Sequence, residues 1–118
     1  MRYLFFICPD PGANPTREEG DPTAWAQDVE ARGVHVIGDR LRPSSDATTV
    51  RVNGTETLVS DGPYVEAKEL IGGFDVIDCK DLDEAIEIAS KHPVARFGQI
   101  EIRPFWPLDL DLKPGGRA

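Results

Sequence analysis

The stretch Gly73–Pro93, GFDVIDCKDLDEAIEIASKHP, decides the fold because two periodicities meet inside it. Gly73 to Lys80 reads as a strand of branched and aromatic residues. From Asp81 the pattern turns helical. Asp81 supplies a capping carboxylate and Glu84, three residues on, completes a capping box. Leu82, Ala85, Ile86 and Ala89 then form one apolar stripe at helical spacing. Lys91 and His92 stand at the negative end of the helix, where a protonated imidazole is favoured as a cap, and Pro93 stops it. A strand follows, Gln99 to Arg103 or Phe105.

The same unit occurs earlier in the chain. Arg2 to Cys8 is a strand with two apolar rows, Tyr3/Phe5/Ile7 and Leu4/Phe6/Cys8. After a polar Pro/Gly-rich loop, Pro9 to Glu19, Asp21-Pro22 starts a helix expected to reach Arg32 and to turn Trp25 and Val29 to the sheet. Val34 to Leu41 is a strand, with Val34 and Val36 opposite His35, Ile37 and Leu41. Between the two units lies TTVRVNGTETLVSD, whose Asn53-Gly54 predicts a hairpin with a type I′ turn. Two strand-helix-strand units around one sheet give an α+β, ferredoxin-like sandwich with an inserted β-hairpin. Two helices cover only one face, so the uncovered apolar row predicts a homodimer whose sheets face each other; a monomer with a lidded sheet is the rival.

Composition narrows the function classes. The 118 residues carry 13 basic and 21 acidic side chains, a net charge of -8, with no basic run, which disfavours nucleic acid. No apolar run is long enough to span a membrane, and the short one before Pro9 does not read as a signal peptide, so a cytoplasmic location is expected. The two cysteines, Cys8 and Cys79, read as buried thiols, and no Cys/His spacing suggests a metal.

The segment SDGPYVEAKELIGGF, Ser60 to Phe74, holds the candidate site. Gly62-Pro63 and Gly72-Gly73 have backbone reasons to be there, and Asp61 can cap the turn. Tyr64, Glu66, Lys68 and Glu69 place a phenol, acids and a base beside the sheet edge. As a helical turn the segment puts Glu66 with Glu69; extended, it puts Glu66 with Lys68. A solvated charged loop is the plain alternative. His92, Tyr64 and Glu66 are the acid/base candidates. Asp61, Lys68, Glu69 and Arg103 are the ligand-binding candidates, Arg40 and Arg51 being further strand cations able to hold a carboxylate.

The run from Val59 to Pro104, through Asp61-Gly62-Pro63-Tyr64, Glu66, Lys68-Glu69, Gly72-Gly73, the Asp-Leu-Asp-Glu-Ala helix start, His92-Pro93 and Glu101-Arg103-Pro104, resembles the YCII-related family in its DGPF-type branch. Tyr64 replaces the Phe of the motif. The resemblance covers roughly Met1 to Pro104 and implies a ferredoxin-like dimeric α/β barrel; residues 107–118 are left as a tail. It also implies an association of some members with sigma factors, and a His/Asp pair in a cleft of the wider family. That pair would come from a His in the first helix and an Asp before a proline after the second. Here the first helix has no histidine and the Asp-Pro position is His92-Pro93, so the pair is not carried over. The functional expectation is a small-molecule-binding or regulatory homodimer with a cleft near Asp61–Tyr64. The alternatives are a lyase or isomerase working without a cofactor and a sigma-factor interaction module. Phe105 and Trp106 are expected at the dimer interface or over the pocket.

Overall fold

The computed structural model describes residues 1–63 and 71–108. Its order is β1 (Arg2–Pro9), α1 (Thr23–Ala31), β2 (His35–Arg40), β3 (Thr48–Asn53), β4 (Glu56–Asp61), β5 (Gly73–Asp78), α2 (Leu82–Ser90) and β6 (Gly98–Pro104). β2, β5, β1 and β6 form an antiparallel sheet in that order, and β3 and β4 form a separate two-stranded ribbon. This is the α+β ferredoxin-like arrangement with an inserted hairpin.

Register decides which apolar row goes under the helices. Tyr3 pairs with Ile77, Phe5 with Asp75 and Ile7 with Gly73, so these six share one face. Tyr3, Phe5, Ile7 and Ile77 are buried there with Trp25 and Val29 of α1 and Ala85, Ile88 and Ala89 of α2. Trp25 ties the helices together, its Nε1–H donating to the Ile88 carbonyl at 2.9 Å. Arg32, just past α1, adds ion pairs to Glu87 at 3.0 Å and Glu84 at 3.5 Å. The opposite, open face carries Leu4, Phe6 and Phe74, all half-buried, and the exposed Ile37.

The α2 cap forms largely as its sequence predicts. Asp81 accepts from the Glu84 N–H at 3.0 Å, while Glu84 reaches one residue further back than expected, to the Lys80 N–H. The apolar stripe is a different one. Ala85, Ile88 and Ala89 are buried, whereas Leu82 and Ile86 are about half exposed. The tie from Trp25 to Ile88 turns that side of the helix inward. α1 is shorter than expected: Pro22 stands before the first turn, and Asp21 accepts from the Thr23 N–H at 2.9 Å.

The hairpin turn also differs. Asn53 pairs with Glu56, so the loop residues are Gly54 and Thr55, and Gly54 has φ +65°. With φ positive at Gly54 but not at Thr55 the turn fits II′ rather than I′, and it is shifted by one residue from the I′ turn predicted for Asn53-Gly54. Both faces of the hairpin meet solvent, with Val50, Val52 and Val59 more than half exposed.

Candidate functional site

β2 contains an irregularity with chemical consequences. His35 pairs with Ile77, Ile37 with Val76 and Gly38 with Asp75, so Val36 is an extra residue. The bulge moves His35 and Ile37 to opposite faces, where simple alternation predicted they would share one. His35 and Gly38 consequently lie on the helix-covered face, beside Asp75.

There the His35 imidazole meets the Asp75 carboxylate, Nε2 to Oδ1 at 2.8 Å. The two side chains are 23% and 15% exposed, enough for His35 to be reached from solvent while Asp75 is largely withdrawn from it. Burial raises the Asp75 pKa, and the hydrogen bond and charge of His35 work against that rise. An ionised carboxylate can only accept, so Nε2 carries a proton; when the imidazole is neutral, Nδ1 holds the lone pair. Nδ1 has no hydrogen-bond partner among the described residues. A neutral imidazole held this way by a carboxylate is equipped to take a proton and to be stabilised once it has done so.

Gly38 makes room for the pair. A Cβ at that position would overlap the Asp75 carboxylate and come within 2.8 Å of the Phe74 carbonyl oxygen. The carboxylate crosses the edge strand only because residue 38 has no side chain.

Of the sequence-chosen residues, the three described ones, His92, Arg103 and Asp61, do not gather here. His92 is 7% exposed and packs edge-on against Trp25, ring centroids 4.7 Å apart. Its Nδ1 accepts from the Val94 N–H at 3.1 Å, capping the short 3-10 turn Pro93–Arg96. Burial lowers its pKa to about 4, so the imidazole is neutral rather than the protonated helix cap expected from sequence. Arg103 lies on the open face, where it pairs with Glu101 and stands 5.8 Å from the centre of the Phe6 ring. Asp61 is exposed at the end of the hairpin. Gly62, with φ +92°, is held to the hairpin base by its N–H to the Ala47 carbonyl and by Thr49 Oγ1 on its own carbonyl. Tyr64, Glu66, Lys68 and Glu69 lie outside the described residues. Among the described residues no three His, Cys, Asp or Glu side chains gather as metal ligands, and no helix is long and apolar enough to cross a membrane.

From the sequence His35 reads only as a strand residue, and Asp75 is not among the candidates. A signal for the second was present: in FDVID, Asp75 shares its row with Ile77, and Ile77 belongs under the helices. An acid on a core-facing row needs a partner.

The sequence matches the profile of the YCII-related domain over residues 1–109. An uncharacterized protein of Rhizobium meliloti (strain 1021) is 45% identical over 67 residues, which cover 55% of this chain and 54% of the relative, so the match spans about half the length of each. Among solved structures, 5-chloro-2-hydroxyhydroquinone dehydrochlorinase from Burkholderia phenoliruptrix AC1100, in complex with 2,5-dihydroxybenzoquinone, matches with a TM-score of 0.54 over 90% of this chain and 94% of its own. At 14% identity, that likeness is one of fold, of the dimeric α/β barrel type.

Proposed function

We propose, from the premise that the chain belongs to the YCII-related family, that it is a cofactor-free lyase or isomerase that moves a proton with His35 and Asp75. The observation that carries this reading is the 2.8 Å contact between His35 Nε2 and Asp75 Oδ1 on a partly withdrawn face of the sheet. His35 Nδ1 takes a proton from an acidic C–H or O–H of the substrate. Asp75 fixes the tautomer and faces the imidazolium that results. The proton then returns to another atom of the substrate, in an isomerisation, or passes to water after a leaving group has departed with its electron pair. No electron acceptor is needed in either case.

The dehydrochlorinase supplies a probe for this reading. The test mixes the purified protein with 5-chloro-2-hydroxyhydroquinone and a panel of related hydroxylated aromatics, following chloride release and absorbance. Turnover that falls by about 100-fold or more in folded His35→Gln supports the proposal. Equal rates in the two proteins overturn it. Saturable binding by wild-type protein with no turnover favours the small-molecule-binding reading instead.

A homodimer through the open sheet face belongs to the same proposal. Leu4, Phe6 and Phe74 leave apolar surface there, and Trp106, just past β6, is 94% exposed. An aromatic of that size left in water suits an interface.

A further inference from the structure

Arg40 shares its sheet face with the His35–Asp75 pair. It pairs with Gly73, which pairs on its other side with Ile7, and Ile7 belongs to the helix-covered row. Going along β2, His35, Gly38 and Arg40 therefore line one edge of that face. Arg40 follows Gly38 by two residues, about 7 Å along a strand, a distance that an arginine side chain covers when extended. Gly73 faces Arg40 across β5 and Gly38 lies between Arg40 and His35 on β2, so the only side chain between Arg40 and His35 on these strands is that of Asp75, whose carboxylate lies over Gly38.

The guanidinium is exposed and uncommitted. Arg2, Arg32, Arg42 and Arg103 all have carboxylate partners. Arg40 has none among the described residues, in a chain with 21 acidic side chains. The neighbouring Asp39 lies on the open face and accepts from the Arg40 backbone N–H at 2.9 Å. An oxyanion beside His35 would otherwise be repelled by Asp75, so a site built on this pair needs a cation to accept one.

We infer that Arg40 is the anion-binding residue of this site and that its substrates are small organic oxyanions, carboxylates or phenolates. The planar guanidinium fork takes the oxyanion in a bidentate contact and orients the rest of the molecule along the β2 edge, past the Asp75 carboxylate, towards His35. Arg40 is a positioning residue, since it binds the substrate away from the proton that moves. This inference rests on the catalytic reading of His35 and Asp75, but binding can be measured without turnover.

The experiment is calorimetric titration of the full chain with benzoate and 4-nitrophenolate as charged probes and benzamide as the neutral one. The expected result is saturable binding of a charged probe, weakened about tenfold or more in Arg40→Ala and less in Arg40→Lys, where the charge stays and the fork is lost. Benzamide is expected to be insensitive to Arg40, and His35→Gln to retain charged-probe binding while losing turnover. Arg96→Ala, on the 3-10 turn, controls for overall charge. Benzoate held more tightly than the phenolate assigns a carboxylate, and the reverse assigns a phenolate. Equal affinity in wild-type protein and Arg40→Ala, an equal loss in Arg96→Ala, or no binding of either anion overturns the inference. Turnover of an anionic substrate by Arg40→Ala with kcat and KM unchanged also overturns it, and leaves the role of His35 standing.

Discussion

The carboxyl group of Asp75 lies where a side chain on Gly38 would begin: a Cβ there would overlap Oδ1 and stand 2.8 Å from Cγ. The two residues pair directly across β2 and β5, and the carboxylate crosses that gap to reach His35. A backbone requirement on one strand thereby sets the chemistry offered by two side chains.

Gly38→Ala is expected to push the carboxylate away from the imidazole. Overpacking at such a position costs about 1–3 kcal/mol, which urea denaturation would register as a lower midpoint with an unchanged slope. Activity should fall further than stability, because the hydrogen bond at Nε2 is lost in molecules that remain folded.

Removing His35 strands a carboxylate that is mostly withdrawn from water. His35→Ala should cost about 1–3 kcal/mol at neutral pH, and Asp75→Asn less, since an amide carries no charge to desolvate. The sign with pH follows from the raised pKa of Asp75. The folded state holds its proton more tightly than the unfolded chain, so acid favours folding at this group and the benefit is lost as pH rises through the folded pKa. The stability deficit of His35→Ala should therefore shrink as pH falls into that range. A deficit that grows on acidification would count against a buried Asp75 charge.

His92 behaves in the opposite sense. Burial lowers its pKa from 6.5 to about 4, so below 6.5 the unfolded chain takes up a proton that the folded state refuses. Stability should fall as pH drops from about 6.5 to about 4 and level off below, by at most about 3 kcal/mol from this group. His92→Asn keeps an acceptor for the Val94 N–H and should flatten that part of the profile. An NMR titration of the wild-type imidazole gives an independent check: a midpoint near 6.5 would contradict the buried, neutral cap.

Truncation after Pro104 removes Phe105 and Trp106 and should weaken the proposed dimer without unfolding the sheet. Sedimentation equilibrium would show this as a dissociation constant raised at least about tenfold, given how much interface energy exposed aromatics carry. An unchanged dimer would exclude the two aromatics as interface anchors.

Much of the fold can be read from local chemistry. The alternation in β1, the Asp81–Glu84 cap and the two strand-helix-strand units lead directly to the observed topology. Structure and sequence expectation part where tertiary contacts choose among local options. Either of two stripes on α2 would bury well, and the Trp25 hydrogen bond to Ile88 selects the one containing Ile88 over Leu82 and Ile86. The candidate site was the least legible part. His35 and Asp75 are 40 residues apart in sequence, and a bulge that strict alternation does not foresee puts them on one face. His92 drew attention as a polar residue beside a helix end, yet its surroundings are those of a core residue.

The central claim is that His35 moves protons, and it is most directly tested by hydrogen–deuterium exchange. Small hydroxylated aromatics and enolisable acids would be incubated in D2O with wild-type protein or His35→Gln, and loss of the acidic C–H signal followed by NMR. The account expects the wild-type protein to accelerate exchange for at least one compound and the folded variant to lose that acceleration. Exchange at equal rates with either protein, or no acceleration by the wild type for any compound, would contradict it.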